Sequence, residues 1–362
     1  MTNIIRTRPG RIIEVDGLRG IAALMVVMVH AGVIWGPPEK RDFLGKSIGF
    51  IVETGLFNTG VDIFFVISGF VIFLSLSESK ILTIRQLFYY LVRRSIRLDP
   101  PFWVALMGMW ILLVIQHRFG SMNLYLPSIS EIFLNATYTY GIFGQKSILV
   151  VAWTLCLEFQ WYFLVCSCFF IYQQFRSRFM PMSLMPDSVG VAMILSGISL
   201  FSPLITYSSE SIWIVSRLPT FMMGVWVAIL TLKASSNRLV ILMVTVCVFA
   251  SYKLPILSLL ASVATALLII IAVFHPQGIP LLRMRFLQTV GQTSYSLYLV
   301  HVPIIFIFGA LVTRLGLVNG SLSHLVAIIV GVIIALATWC FFVFIERPTL
   351  IWSSSLKKKW GI

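Results

Sequence analysis

The sequence predicts an all-α polytopic membrane protein with about ten transmembrane helices, both termini in the cytoplasm and no separate soluble domain. Three observations lead there. Hydrophobic residues make up 59% of the 362-residue chain and charged residues 11%, whereas soluble domains carry about 45–50% and about 25%. Apolar stretches long enough to cross a bilayer recur along the whole chain. Positive charge gathers in one alternate set of the loops between them. The same composition excludes disorder, which needs low hydrophobicity. Residues 1–362 therefore read as one integral membrane domain.

The apolar stretches fall at roughly 18–35, 56–76, 101–116, 149–172, 189–207, 213–232, 238–252, 255–274, 292–313 and 323–346. Breaks are expected at the turn formers Pro37-Pro38, Pro100-Pro101, Pro181 and Pro276. The first stretch ends without a small-residue cleavage site, so it is kept as a membrane helix and not as a signal peptide. Lys and Arg number 19 in the N-terminal segment and the loops on its side, against 7 in the opposite loops. This positive-inside bias puts both termini in the cytoplasm and accounts for the net charge of +14 without a nucleic-acid partner. The five cysteines all sit in apolar stretches with no C-x-x-C pair, and neither a disulfide framework nor a metal site is expected.

A charge in hydrocarbon costs about 2.5–3.5 kcal/mol on insertion scales, so each ionisable residue inside a span needs a reason. Arg19 and His30 lie on one stripe of the first helix, because eleven residues come to about 20° past three full turns and a rise of about 16 Å. Asp62 lies near the outer end of the second stretch, and Ser68-Gly69 further along permits close backbone approach. Arg94 and Arg97 share a helical face. Their forked, permanently charged groups suit a diphosphate, although they serve equally as positive-inside anchors. Glu158 is deep in the fourth stretch with Trp153 and Tyr162 nearby, and His301 falls near mid-membrane in the ninth. Glu346 ends the tenth at the level where Arg19 starts the first, and an Arg19–Glu346 ion pair is expected.

Six segments in this order resemble the acyltransferase-3 family of integral membrane O-acyltransferases. They are Asp16-Gly17-Leu18-Arg19-Gly20 with His30; Phe64-Phe65-Val66-Ile67-Ser68-Gly69-Phe70; and Arg94-x-x-Arg97 with Pro100-Pro101. Trp153-Thr154-Leu155 with Glu158, Ser294-Tyr295-Ser296-Leu297-Tyr298-Leu299 with His301, and Glu346-Arg347-Pro348 complete the set, spanning about 13–350. The resemblance implies a multi-pass protein of the bacterial inner membrane. Its donor would be a cytosolic acyl-coenzyme A, most often acetyl-coenzyme A, and its acceptor a glycan of lipopolysaccharide O-antigen, exopolysaccharide or a related lipid-linked saccharide. Arg94, Arg97, Ser68 and Gly69 would then bind the donor. His30 would act as general base or acyl carrier beside Arg19, with the imidazole uncharged in its apolar surroundings. Glu158 or Asp62 would orient it or hold the acceptor sugar, Trp153 and Tyr162 would stack on the sugar, and His301 would be either a further substrate contact or a polar packing residue. Some members carry a fused extracytoplasmic hydrolase-like domain, whereas this chain would complete the transfer alone. The rival reading is a transporter or flippase of sugar-linked lipid. Against it, the intramembrane charges concentrate in the first four and last two stretches, leaving only Arg217 between 189 and 274, where a carrier of inverted repeats would show matched halves.

Overall fold

The structure is a computed structural model. It describes residues 12–32, 49, 52–78, 83–119, 125–179, 186–202, 213–233, 235–252, 254–315 and 321–360. The expected breaks at Pro37-Pro38 and Pro181 lie outside the described residues, as do most of residues 33–51. Among the described residues the regular secondary structure is entirely helical.

Helix α1 runs Ile13–Ala31, with Glu14 and Asp16 in its first turn, where the helix dipole favours negative charge. A single 3₁₀ turn then leads into α2, Gly60–Ser77. Next come α3 (Ile84–Phe119), the short surface helix α4 (Ile129–Ala136) and α5 (Ala152–Phe179). The shorter apolar helices α6 (Asp187–Ser199), α7 (Leu218–Thr231) and α8 (Asn237–Ala250) precede α9 (Ile256–Phe274). After the break at Pro276, α10 (Arg285–Gln292), α11 (Ser294–Arg314) and α12 (Ser321–Phe341) follow. A π-helical turn, Phe342–Glu346, joins α12 to α13, Arg347–Trp360. The described parts of the expected apolar stretches fall on helices. Among the described residues six helical segments, fewer than the ten expected, are long and apolar enough to cross a membrane: Leu56–Ser77, Ile84–Phe119, Ala152–Phe179, Ile256–Phe274, Ser294–Val312 and His324–Leu356. On α12 and beyond, Leu325, Ile328, Val332, Leu336 and Trp339 face outward, an apolar band of the kind that lipid covers.

The double proline does not break its helix. Helix α3 continues straight through Pro100-Pro101. Pro101 has no N–H to offer the carbonyl of Arg97 one turn back; the Thr349 hydroxyl of α13 reaches that oxygen at 3.3 Å, sharing its hydrogen with the nearer Glu346 carbonyl at 2.7 Å. The Tyr295 hydroxyl of α11 donates to the neighbouring carbonyl of Leu98 at 2.7 Å. A hydroxyl from another helix thus serves the carbonyl that Pro101 releases, as transmembrane helices require.

The main core is formed by Leu18, Phe70, Phe73, Trp161, Phe221 and Trp226 and their neighbours on α1, α2, α5 and α7. Helices α2 and α7 cross in close contact. A Cβ on Gly69 would overlap the Phe221 carbonyl, and one on Gly224 the Val66 carbonyl, so this crossing depends on two glycines that let the backbones touch. The start of α1 is clamped by residues just before and within α10. Arg283 pairs with Glu14 at 2.6 Å, and the Gln288 amide donates to the Ile13 carbonyl at 2.9 Å. Those contacts hold α1, and its Arg19–His30 stripe, against the rest of the bundle.

Candidate active site

Helices α1 and α11 bring two histidines together. The His30 Nδ1 lies 2.8 Å from the Val26 carbonyl, four residues back. His301 repeats the arrangement, with Nδ1 2.8 Å from the Leu297 carbonyl. The two rings stand edge to face with centroids 5.1 Å apart, and His301 Nε2 is 3.4 Å from His30 Nδ1. His301 is fully buried, while His30 keeps part of its surface accessible. The Tyr298 ring lies 6.0 Å from His301, and its hydroxyl is 2.5 Å from that of Thr154 on α5.

A second cluster lies on α2, α3 and α5. Glu158 Oε1 accepts from the Ser68 hydroxyl at 2.9 Å and also from Tyr162. Arg94 sits between two rings, its guanidinium carbon 5.4 Å from the centroid of Tyr90 and equally far from that of Tyr162. Such cation–π contacts hold a guanidinium without neutralising it. The Arg94 Nε is buried without a hydrogen-bond partner. Arg97, one turn along, lies within electrostatic reach of both Arg94 and Arg19. Arg94 and Arg97 are both half-buried. A narrow cavity of about 10 Å³ beside Arg94 is bordered by Asp99, Tyr138, Glu158 and Tyr162.

The carboxylates are not where the sequence put them. Among the described residues, no hydrogen bond or ion pair joins Arg19 to Glu346. The π-helical turn carries Glu346 toward α11 instead, where it accepts from the Ser296 N–H at 3.0 Å and the Ser296 hydroxyl at 2.5 Å. Arg97 and then Arg19 are its nearest cationic influences. Asp62 does not orient His30: it pairs with Arg217 at 2.8 Å, both side chains buried, with Ser258 beside it. The ring of Trp153 faces this pair, 5.8 Å from the guanidinium, and packs against Phe65. Tyr162 has Arg94 against its ring and its hydroxyl on Glu158, so its face is taken. Gly69 serves the α2–α7 crossing and leaves no room for a ligand on its Cα. The partner that His30 does have, His301, was legible only as a second histidine at similar depth. Arg217 stood out in the sequence as an intramembrane charge and Ser296 within a motif segment, but an arginine among apolar residues does not announce which carboxylate it meets; Tyr90 carried no signal in the sequence.

Comparison with known proteins completes the picture. A family described as acyltransferase domain matches residues 12–343. O-acetyltransferase OatA of Staphylococcus aureus is 26% identical over 92% of this chain and 56% of its own length. Peptidoglycan O-acetyltransferase OatA of Listeria monocytogenes is 25% identical over 81% of this chain and 49% of its own. The putative peptidoglycan O-acetyltransferase YrhL of Bacillus subtilis is 28% identical over 92% and 54%. The chain thus spans about half the length of the curated relatives it matches. No solved structure matches it. With six motif segments in register and a family match over nearly the whole chain, the protein belongs to the acyltransferase-3 family.

Proposed function

We propose that the protein is a bacterial inner-membrane O-acetyltransferase, with its termini in the cytoplasm, that moves an acetyl group from cytosolic acetyl-coenzyme A to a hydroxyl of a cell-surface or lipid-linked glycan. The observation that carries this reading is His30, half-accessible on the same stripe of α1 as Arg19, with Nδ1 tied to a carbonyl. A carbonyl only accepts, so Nδ1 holds the hydrogen and Nε2 the lone pair. Nε2 takes the proton of the acceptor hydroxyl as its oxygen attacks the thioester carbonyl. Collapse of the tetrahedral intermediate forms the ester and expels the coenzyme A thiolate, which recovers the proton from the imidazolium. Arg94 and Arg97, partly accessible and close to Arg19, supply the positive charge that the donor's phosphates require. Among acceptors, the names of the relatives favour a peptidoglycan-type glycan over the lipopolysaccharide that sequence resemblance brought first to mind.

The test is transfer of radiolabelled acetyl from acetyl-coenzyme A in membranes containing wild-type or His30→Ala protein. Label in a glycan fraction that falls to background in the variant supports the reading. Equal transfer by the two, or none by the wild type, overturns it.

A further inference from the structure

We infer that His301 is a positioning residue: its Nε2 lone pair faces the Nδ1–H of His30 and holds that ring with Nε2 as its reactive nitrogen. The inference rests on the function proposed above but assigns His301 a task other than contacting sugar. Three observations carry it. His301 Nδ1 lies 2.8 Å from the Leu297 carbonyl, which can only accept, so this nitrogen carries the hydrogen and Nε2 the lone pair. That lone pair is 3.4 Å from His30 Nδ1, whose hydrogen thereby lies between two acceptors, the Val26 carbonyl at 2.8 Å and the His301 imidazole. His301 is fully buried, so it has no surface left for a substrate.

The chemistry suits a base that must be uncharged before the reaction and charged during it. When His30 Nε2 gains the substrate proton, its Nδ1–H becomes a stronger donor, and both acceptors then hold the imidazolium. A carboxylate in the place of His301 would bind the charged form so well that His30 would rest protonated in this apolar interior. A neutral imidazole acceptor favours the charged ring less and leaves the resting state neutral. Tyr298, packed on His301 and hydrogen-bonded to Thr154, keeps the second ring from turning.

The experiment compares wild type, His301→Gln, whose amide oxygen restores an acceptor, and the apolar variants His301→Leu and His301→Phe. Thermal melting in detergent first establishes which of them fold. In acetyl transfer from acetyl-coenzyme A, the folded apolar variants should lose about 10²-fold in kcat at unchanged donor KM. His301→Gln should stay within about tenfold of wild type. Apolar variants as fast as wild type, or a folded His301→Gln as slow as they are, would overturn the assignment. ¹⁵N NMR of histidine-labelled wild-type protein provides a readout independent of turnover. It should show His30 protonated at Nδ1 and bare at Nε2, and the opposite tautomer overturns the inference even if no apolar variant folds. Should wild type transfer no acetyl group at all, the functional reading fails, while the NMR result still decides the histidine arrangement.

Discussion

Asp62 and Arg217, 155 residues apart in sequence, meet at 2.8 Å inside the helix bundle, each with less than a tenth of its side chain exposed. The pair ties α2 to the start of α7, the two helices that also cross through Gly69 and Gly224. Removing one partner of a buried pair leaves an uncompensated charge at a cost of about 3–5 kcal/mol, whereas replacing both by apolar groups is often neutral. Asp62→Leu or Arg217→Met alone should therefore lower the melting temperature in detergent sharply, and the double variant should recover most of the loss. A double variant as unstable as either single would refute a direct pair.

The α2–α7 crossing predicts a contrast among glycines. Gly69→Ala and Gly224→Ala force a methyl into backbone of the facing helix, and overpacking of this kind costs about 1–3 kcal/mol. Gly108 on α3 has nothing within 4 Å of its would-be Cβ, so Gly108→Ala should be neutral or slightly stabilising through helix propensity. Melting curves of the three variants side by side decide it; similar shifts for all of them would mean that the crossing is not tight.

The proline accommodation in α3 can be tested by a double-mutant cycle. Thr349→Val removes the hydroxyl that the Glu346 and Arg97 carbonyls share and should cost about 1 kcal/mol. Pro101→Ala returns an N–H that can reach the same carbonyl, so in that background the Thr349→Val change should cost less. Equal losses in both backgrounds would show that the hydroxyl acts elsewhere.

Arg94 is held by two ring faces rather than by a carboxylate, which makes its shape as important as its charge. Arg94→Lys keeps the charge but loses the planar group that stacks between Tyr90 and Tyr162. Under the proposed function it should raise the KM for acetyl-coenzyme A about tenfold, the equivalent of about 1.4 kcal/mol of donor binding, with little effect on the acceptor KM. An equal rise in both would point to a structural role.

Helix α4 carries a local pH dependence. Ser128 and Glu131 form a reciprocal capping box at its start, and the Tyr125 hydroxyl, followed by the Ser128 N–H and hydroxyl, holds the exposed Glu131 carboxyl below the usual range. A carboxylate with a lowered pKa stabilises the folded helix fully above the ordinary carboxylate range and loses that effect as pH falls through the lowered value. The protection of the Ile132 amide against exchange, measured relative to its intrinsic rate at each pH, should therefore fall on acidification; its N–H donates to the Ser128 carbonyl. Glu131→Gln should flatten that dependence, and an unchanged profile would assign the effect to another group.

The sequence by itself determined the solvent and the secondary structure. Composition demanded a bilayer, and apolar length located the helices, although the one expected to begin after Pro100-Pro101 starts at Ile84 and runs through both prolines; the 3.6-residue period put Arg19 with His30 and Arg94 with Arg97 on common faces. Only the tertiary structure decided partners. Asp62 meets Arg217, Glu346 meets Ser296, Glu158 meets Ser68 and Tyr162, and His30 meets His301, 271 residues away. The physical reason is that periodicity states which direction a side chain leaves its own helix but not which helix stands there. That second fact depends on packing summed over the whole bundle, including the glycine crossing of α2 with α7 and the π-helical turn that carries Glu346 to Ser296.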